Sequence, residues 1–171
     1  PPRGESEYLT ETSFFHCTIK KKHVAAGRLK LNFIDIEKEI EKELGTSIKK
    51  IFKSKGENYF RKFEEKITLK RLKLNSVVIS LGGGAFTNKN IRKEVLKDNL
   101  SFWLNWNENV LLNRIKNSKK RPIAFNATDD ELIDLIQKRS TIYSKALYEI
   151  KCDNLSKNQI VKKILKIYED H

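Results

Sequence analysis

VVISLGGGAF, residues 77–86, is a short apolar run that stops at three successive glycines. Val77, Val78 and Ile79 are β-branched and follow one another without polar alternation. That pattern suits a strand buried on both faces of a parallel sheet. Gly82, Gly83 and Gly84 then strip the side chains from the carboxyl end of that strand. Open α/β sheets bind ligands at that end, and bare backbone can approach an oxyanion closely there. A flexible turn would also use glycine, but three in a row cost chain entropy, so a ligand-binding corner is the stronger reading.

Toward the amino end, LNFIDI (31–36) reads as another strand, which delivers Asp35 near its carboxyl end. Ile36, Ile40 and Leu44 then recur at helical spacing, with Gly45 as a stop and Glu37 in the first turn. Thr46 or Ser47 can cap a short helix through Phe52. A longer helix is predicted from about Glu57 to Leu72, with Tyr59, Phe60, Phe63 and Ile67 on its apolar side. Further upstream, residues 1–12 look like a loose terminus, SFFHCTI (13–19) is a candidate strand, and KKKHVAAGRLK (20–30) starts or joins a helix.

Downstream of the glycines, Thr87 or Asn88 caps a helix in NKNIRKEVLKDN. LSFWLNW (100–106) is the next strand and NENVLLNRIKN (107–117) an amphipathic helix. SKKRPIAFN (118–126) is a basic loop around Pro122. Asp129 or Asp130 opens a helix through about Leu147, YEIKCDN is a final strand and KNQIVKKILKIYE a final helix. Strands alternating with helices predict a three-layer, doubly wound parallel α/β sheet of about five strands, in a single domain with a lid loop.

Composition agrees. The 171 residues, 39% hydrophobic and 33% charged, fit one soluble domain with a proper core. No apolar run approaches a membrane span, and no signal-peptide pattern opens the sequence. Cys17, Cys152 and three scattered histidines lack metal-ligand spacing, so a reducing cytoplasm is the expected compartment. The net charge of +13 suits a nucleic-acid surface, an anionic small substrate or a merely lysine-rich chain. Most lysines alternate with glutamates in helical patterns, as in IEKEIEKEL, and no basic stripe is interleaved with aromatics. Nucleic acid is therefore the lesser reading.

Several charged residues invite a chemical role. Leu132, Leu135, Ile136, Ile142, Tyr143 and Ala146 form one apolar stripe, and Arg139 falls on it. An inward guanidinium needs either an internal carboxylate or an anionic ligand, because an unpaired buried charge is very costly. Arg61 has Glu57, Glu64 and Glu65 three or four residues away, which a surface ion pair explains cheaply. Asp35 and Glu37 can hold Mg²⁺ through water or take a proton from a hydroxyl; a strand-end cap and a dipole-paired glutamate are the structural alternative. Arg121, beside Pro122, can clamp phosphate or simply be solvated.

Together these stretches resemble the shikimate kinases, small members of the nucleoside-monophosphate-kinase-like P-loop fold. The resemblance runs from about Gly27 to the carboxyl terminus, through FIDIEKEIEKELGTSIKKIF, GENYFRKFEEK, SLGGGAF, KKRPI and QKRSTIY, in order and at matching spacing. It implies transfer of the ATP γ-phosphoryl group to the 3-hydroxyl of shikimate, in aromatic amino-acid biosynthesis, by a cytoplasmic monomer. It also implies roles. Asp35 helps position Mg²⁺ through water. Glu37, one methylene longer than the family's usual aspartate, binds shikimate hydroxyls and acts as the base. Arg61 and Arg139 grip the shikimate carboxylate, and Gly82, Gly83 and Gly84 line the substrate. Arg121, on a lid at about 117–126, reaches the transferred phosphoryl group, and Arg114 lies against adenine.

One family element differs. The pattern calls for a first strand and G-x-x-G-x-G-K-[ST] shortly before LKLNFIDI, where backbone N–H groups cradle phosphate. Here that region reads SFFHCTIKKKHVAAG, with no glycine between Gly4 and Gly27 and a lysine run at Lys20, Lys21 and Lys22. Residues 1–26 are thus expected to be an atypical segment, native, altered or misread, ahead of a kinase-like domain over 27–171. Shikimate kinase leads; a shikimate-binding protein that does not transfer phosphate and a basic nucleic-acid-binding domain stand as alternatives.

Overall fold

The computed structural model describes residues 30–116 and 127–170. The strand expected at 13–19, the segment 20–29 and the lid with Arg121 lie outside the described residues.

Strand β1 (Asn32–Asp35) runs directly into helix α1 (Ile36–Leu44). Asp35 makes that junction: its Oδ1 accepts hydrogen bonds from the Glu37 and Lys38 amides at 3.1 and 3.4 Å, satisfying donors that the first helical turn leaves open. Gly45 ends the helix at φ 62°, the left-handed conformation that favours glycine. Ile36 and Ile40 are fully buried, each worth roughly 1.5–3 kcal/mol in removal from water. Helix α2 (Ile48–Leu72), capped by Ser47, follows. The expected short and long helices meet directly at Gly56, whose φ of 78° and ψ of 171° kink an otherwise continuous element. Phe60 and Ile67 are buried as expected, whereas Tyr59 is exposed and stacks on Phe63.

Strand β2 (Val77–Ser80) precedes the three glycines and a single 3-10 turn, Ala85–Thr87. Asn88 caps helix α3 (Lys89–Asp98) through its own Oδ1, which accepts from the Asn90 and Ile91 amides. Then come β3 (Phe102–Asn105), α4 (Glu108–Lys116), α5 (Asp129–Tyr143), β4 (Tyr148–Lys151) and α6 (Lys157–Glu169). Helix α5 opens at Asp129, as expected, and Thr128 caps it through a reciprocal capping box with Glu131. It closes at Tyr143 and does not continue to Leu147. Ser156 and Gln159 form the same kind of box at the start of α6.

Among the described residues the four strands form two parallel pairs, β1 with β2 and β3 with β4. Asp35 stands opposite Ser80, and Asn105 opposite Lys151. Each pair is joined by a helical crossover, as parallel strands require. Val77, Val78 and Ile79 on one side and Phe102, Trp103 and Leu104 on the other line one groove of about 380 Å³ between the two pairs. That groove extends to the amino ends of β2 and β3 and is largely apolar, whereas the charged side chains gather at the carboxyl ends. One core, around Ile36, Ile40, Phe60 and Ile67, packs α1 and α2 on the first pair. A larger one gathers α3 to α6 with β3 and β4. Leu81, between β2 and the glycines, packs against both.

Candidate functional site

The glycine corner is built from three elements. Helix α2 carries Glu57, Arg61 and Glu64 on successive turns; α5 carries Arg139 and Tyr143; α1 contributes Glu37 from its first turn. Arg61 donates from Nε to Glu57 Oε1 at 3.1 Å and from Nη1 to Glu64 Oε2 at 2.7 Å. A Cβ on Gly84 would overlap its guanidinium, so Arg61 lies flat against the backbone there. Arg139 Nη1 donates to the Gly83 carbonyl at 3.1 Å, and the Tyr143 hydroxyl donates to the same oxygen. Glu37 Oε1 and Glu64 Oε1 each stand 3.0 Å from where a Gly82 Cβ would be. Each glycine of the run is thus approached by a different charged or polar group, and at Gly82 and Gly84 the absent side chain is what allows it.

Glu64 is the centre of this cluster. Only 2% of it is exposed, and burial pushes its carboxyl above the ordinary carboxylate range, although the positive charges of Arg61 and Arg139 oppose that rise. Arg139 at the Gly83 carbonyl and Arg61 against Gly84 stand at adjoining residues, which places them on the same side of the molecule. Tyr143 is similarly pushed up by burial, against the pull of Arg139 and Arg61, so its phenol keeps the proton it donates to Gly83. Arg139 is 6% exposed. The stripe on α5 does point it inward, and its partner there is a main-chain carbonyl.

The pair expected at the surface around Arg61 is half correct. Glu57 and Glu64 do bind it, but Glu64 is a buried group, and Glu65 instead accepts from Asn88 and Asn90 at 2.8 and 2.6 Å, tying α2 to α3. Glu64 and Tyr143 are the site residues that sequence reasoning missed. The pattern held a signal for Glu64: Phe60, Glu64 and Ile67 share one helical face, and the two flanking residues are core.

Two further expected residues lie outside this corner. Asp35 is 6% exposed; its Oδ1 caps α1, and its buried Oδ2 has no hydrogen-bond partner among the described residues. Arg114, on α4, is exposed, with its guanidinium over the Trp106 ring at 4.8 Å from the centroid. Among the described residues no three metal-binding side chains cluster, and no helix is long and apolar enough to cross a membrane.

The model of the shikimate kinase family matches residues 22–169 of this chain. The chain belongs to the shikimate kinase family. Among its relatives is the shikimate kinase of Sulfurihydrogenibium sp. (strain YO3AOP1), 34% identical over 142 residues, covering 83% of this chain and 85% of the relative. The Bacillus subtilis (strain 168) shikimate kinase is 35% identical over 153 residues, covering 84% and 78%. The crystal structure of shikimate kinase from Aquifex aeolicus vf5 superposes with a TM-score of 0.81 at 32% identity, covering 91% of this chain and 92% of its own. The α/β architecture with parallel strands is therefore that of the P-loop kinases.

The raised carboxyl of Glu64 has a measurable consequence. Its proton is held more tightly in the folded than in the unfolded chain. Its contribution to stability is thus full below the ordinary carboxylate pKa and is lost as pH rises through the folded value. Thermal unfolding of the protein and of Glu64→Gln, compared across pH, is expected to show the native chain's relative stability greatest at the acid end and declining toward neutrality. A relative gain with rising pH would mean that the attraction of Arg61 outweighs desolvation.

Proposed function

We propose that this shikimate kinase family member transfers the γ-phosphoryl group of ATP to the 3-hydroxyl of shikimate. Shikimate is a small polyol acid, so its recognition calls for a carboxylate clamp and a hydroxyl reader. The observation that carries the reading is the meeting of Arg61 and Arg139 at the glycine run, Arg139 on the Gly83 carbonyl and Arg61 against Gly84 and held by Glu64. Two guanidinium groups, each already braced, suit a bidentate hold on an organic acid. Glu37, over Gly82, is placed to accept a hydrogen bond from the acceptor hydroxyl and to take its proton as the new O–P bond forms. Positioning and charge neutralisation supply most of the catalysis of such a transfer.

Asp35 fits Mg²⁺. Its unpartnered buried Oδ2 suits an ion held by one carboxylate together with waters and substrate phosphates. When bound, Mg²⁺ would neutralise developing charge on the phosphates. Arg114 and Arg121 complete the proposal as nucleotide-side residues, and Arg121 also as the cation at the transferred group. We place the kinase domain at 27–171, behind an atypical amino-terminal segment. A cytoplasmic location and a monomeric state, both carried by the family resemblance, belong to the same proposal.

The test is ADP release, measured by a coupled assay with Mg-ATP, alongside direct titration of shikimate. ADP release that requires shikimate is the expected result. Shikimate binding without ADP release would select an acceptor-binding protein, consistent with the sequence before Gly27, which lacks the glycines of a phosphate loop. No shikimate binding would overturn the proposal.

A further inference from the structure

Trp106 immediately follows β3, at the carboxyl end where open α/β sheets receive ligands. It is 6% exposed and belongs to the larger core. Its neighbours hold the backbone there firmly: the Cys152 amide donates to the Asn105 carbonyl at 2.7 Å, and the Asn107 amide donates to both carboxylate oxygens of Asp153 at 2.9 and 3.1 Å. Two turns later α4 returns Arg114 over the indole, 4.8 Å from the ring centroid. Among the described residues Arg114 makes no ion pair, and it is exposed. A planar cation therefore rests on a fixed aromatic face while remaining open to solvent.

We propose that Trp106 is a positioning residue for nucleotide binding, holding the Arg114 guanidinium over its indole so that the cation's outer face can stack on a purine base. The inference rests on the nucleotide-side role given to Arg114 above. A free arginine side chain samples many rotamers, and ordering it on binding costs affinity. Attraction between the cation and the ring quadrupole reduces that loss in advance. A flat guanidinium on a flat ring also forms a stacking surface, which a lysine at 114 could not provide.

The experiment measures ADP and shikimate affinities separately by calorimetry, for the full chain and its variants. Arg114→Ala is expected to weaken ADP binding about tenfold, and Trp106→Leu about fivefold, with shikimate affinity unchanged. Trp106→Phe, which keeps an aromatic face, should recover most of the loss. Trp106→Leu added to Arg114→Ala should cost nothing more, because the indole acts only through the arginine. Weakening by Arg114→Ala but not by Trp106→Leu would overturn the positioning role and leave Arg114 in the nucleotide site. Equal weakening of ADP and shikimate by Trp106→Leu would reduce the indole to core packing. Unchanged ADP affinity in Arg114→Ala, or no ADP binding by the unaltered chain, would overturn both readings. A second measurement leaves Trp106 itself in place. In a Trp103→Phe background, ADP should change the Trp106 emission, and Arg114→Ala should abolish that change; an emission indifferent to ADP would overturn the proposal.

Discussion

Arg139→Ala is expected to weaken shikimate binding by about 2 kcal/mol or more, roughly 30-fold, the usual scale for losing a charge-assisted hydrogen-bonded pair. The side chain is buried on α5 and held at the Gly83 carbonyl. It has therefore been desolvated before any ligand arrives, and a carboxylate that meets it does so with little further ordering. Arg139→Lys should fall between the two, since it keeps the charge but loses the planar fork. Calorimetric titration with shikimate, with a melting curve as the check on folding, measures both variants. An affinity equal to that of the native chain in Arg139→Ala would remove Arg139 from the acid site.

Gly84→Ala is expected to weaken shikimate binding about tenfold or more and to lower stability by about 1–3 kcal/mol. Gly84 has φ −94° and ψ −18°, a conformation alanine adopts freely, so backbone strain plays no part. The effect comes from the single added methyl group, which would occupy the space of the Arg61 guanidinium. A solvated arginine would swing aside at little cost. Here two carboxylates hold it, and moving it takes away the Nη1 bond to a Glu64 that cannot reach water. Gly82→Ala should be milder, because its methyl group would only crowd two carboxylate oxygens at 3.0 Å. ADP affinity should be the same in both variants. Shikimate binding of native strength in Gly84→Ala would show that Arg61 does not hold the acid.

Much of this geometry is legible in the sequence because it follows from local rules. The inward direction of Arg139 follows from helical spacing, and the bare corner follows from three glycines after a β-branched run. Elsewhere a local rule competed with another. Asp129 does open α5, yet the cap before it is Thr128, because Glu131 lies three residues on and can answer it. Helix α5 stops four residues before Leu147, since Ala146 turns back onto the Tyr143 carbonyl and Tyr148 already pairs with Ser101. Glu64 was hardest to foresee. A glutamate near an arginine reads as a surface pair on charge alone, and only its place between Phe60 and Ile67 on the helical face argues for the interior. The stacking of Arg114 on Trp106 joins the end of a strand to the far turn of the next helix, which no periodicity encodes.

The shared acceptor at Gly83 has a bearing on how this corner tolerates change. Arg139 and Tyr143 both depend on an oxygen that belongs to the main chain. A codon change can delete either donor, but none can delete a peptide carbonyl. Mutational drift can therefore remove this pair of bonds only through their donors on α5, and a lineage that lost one donor would still present the same oxygen for a new one to find.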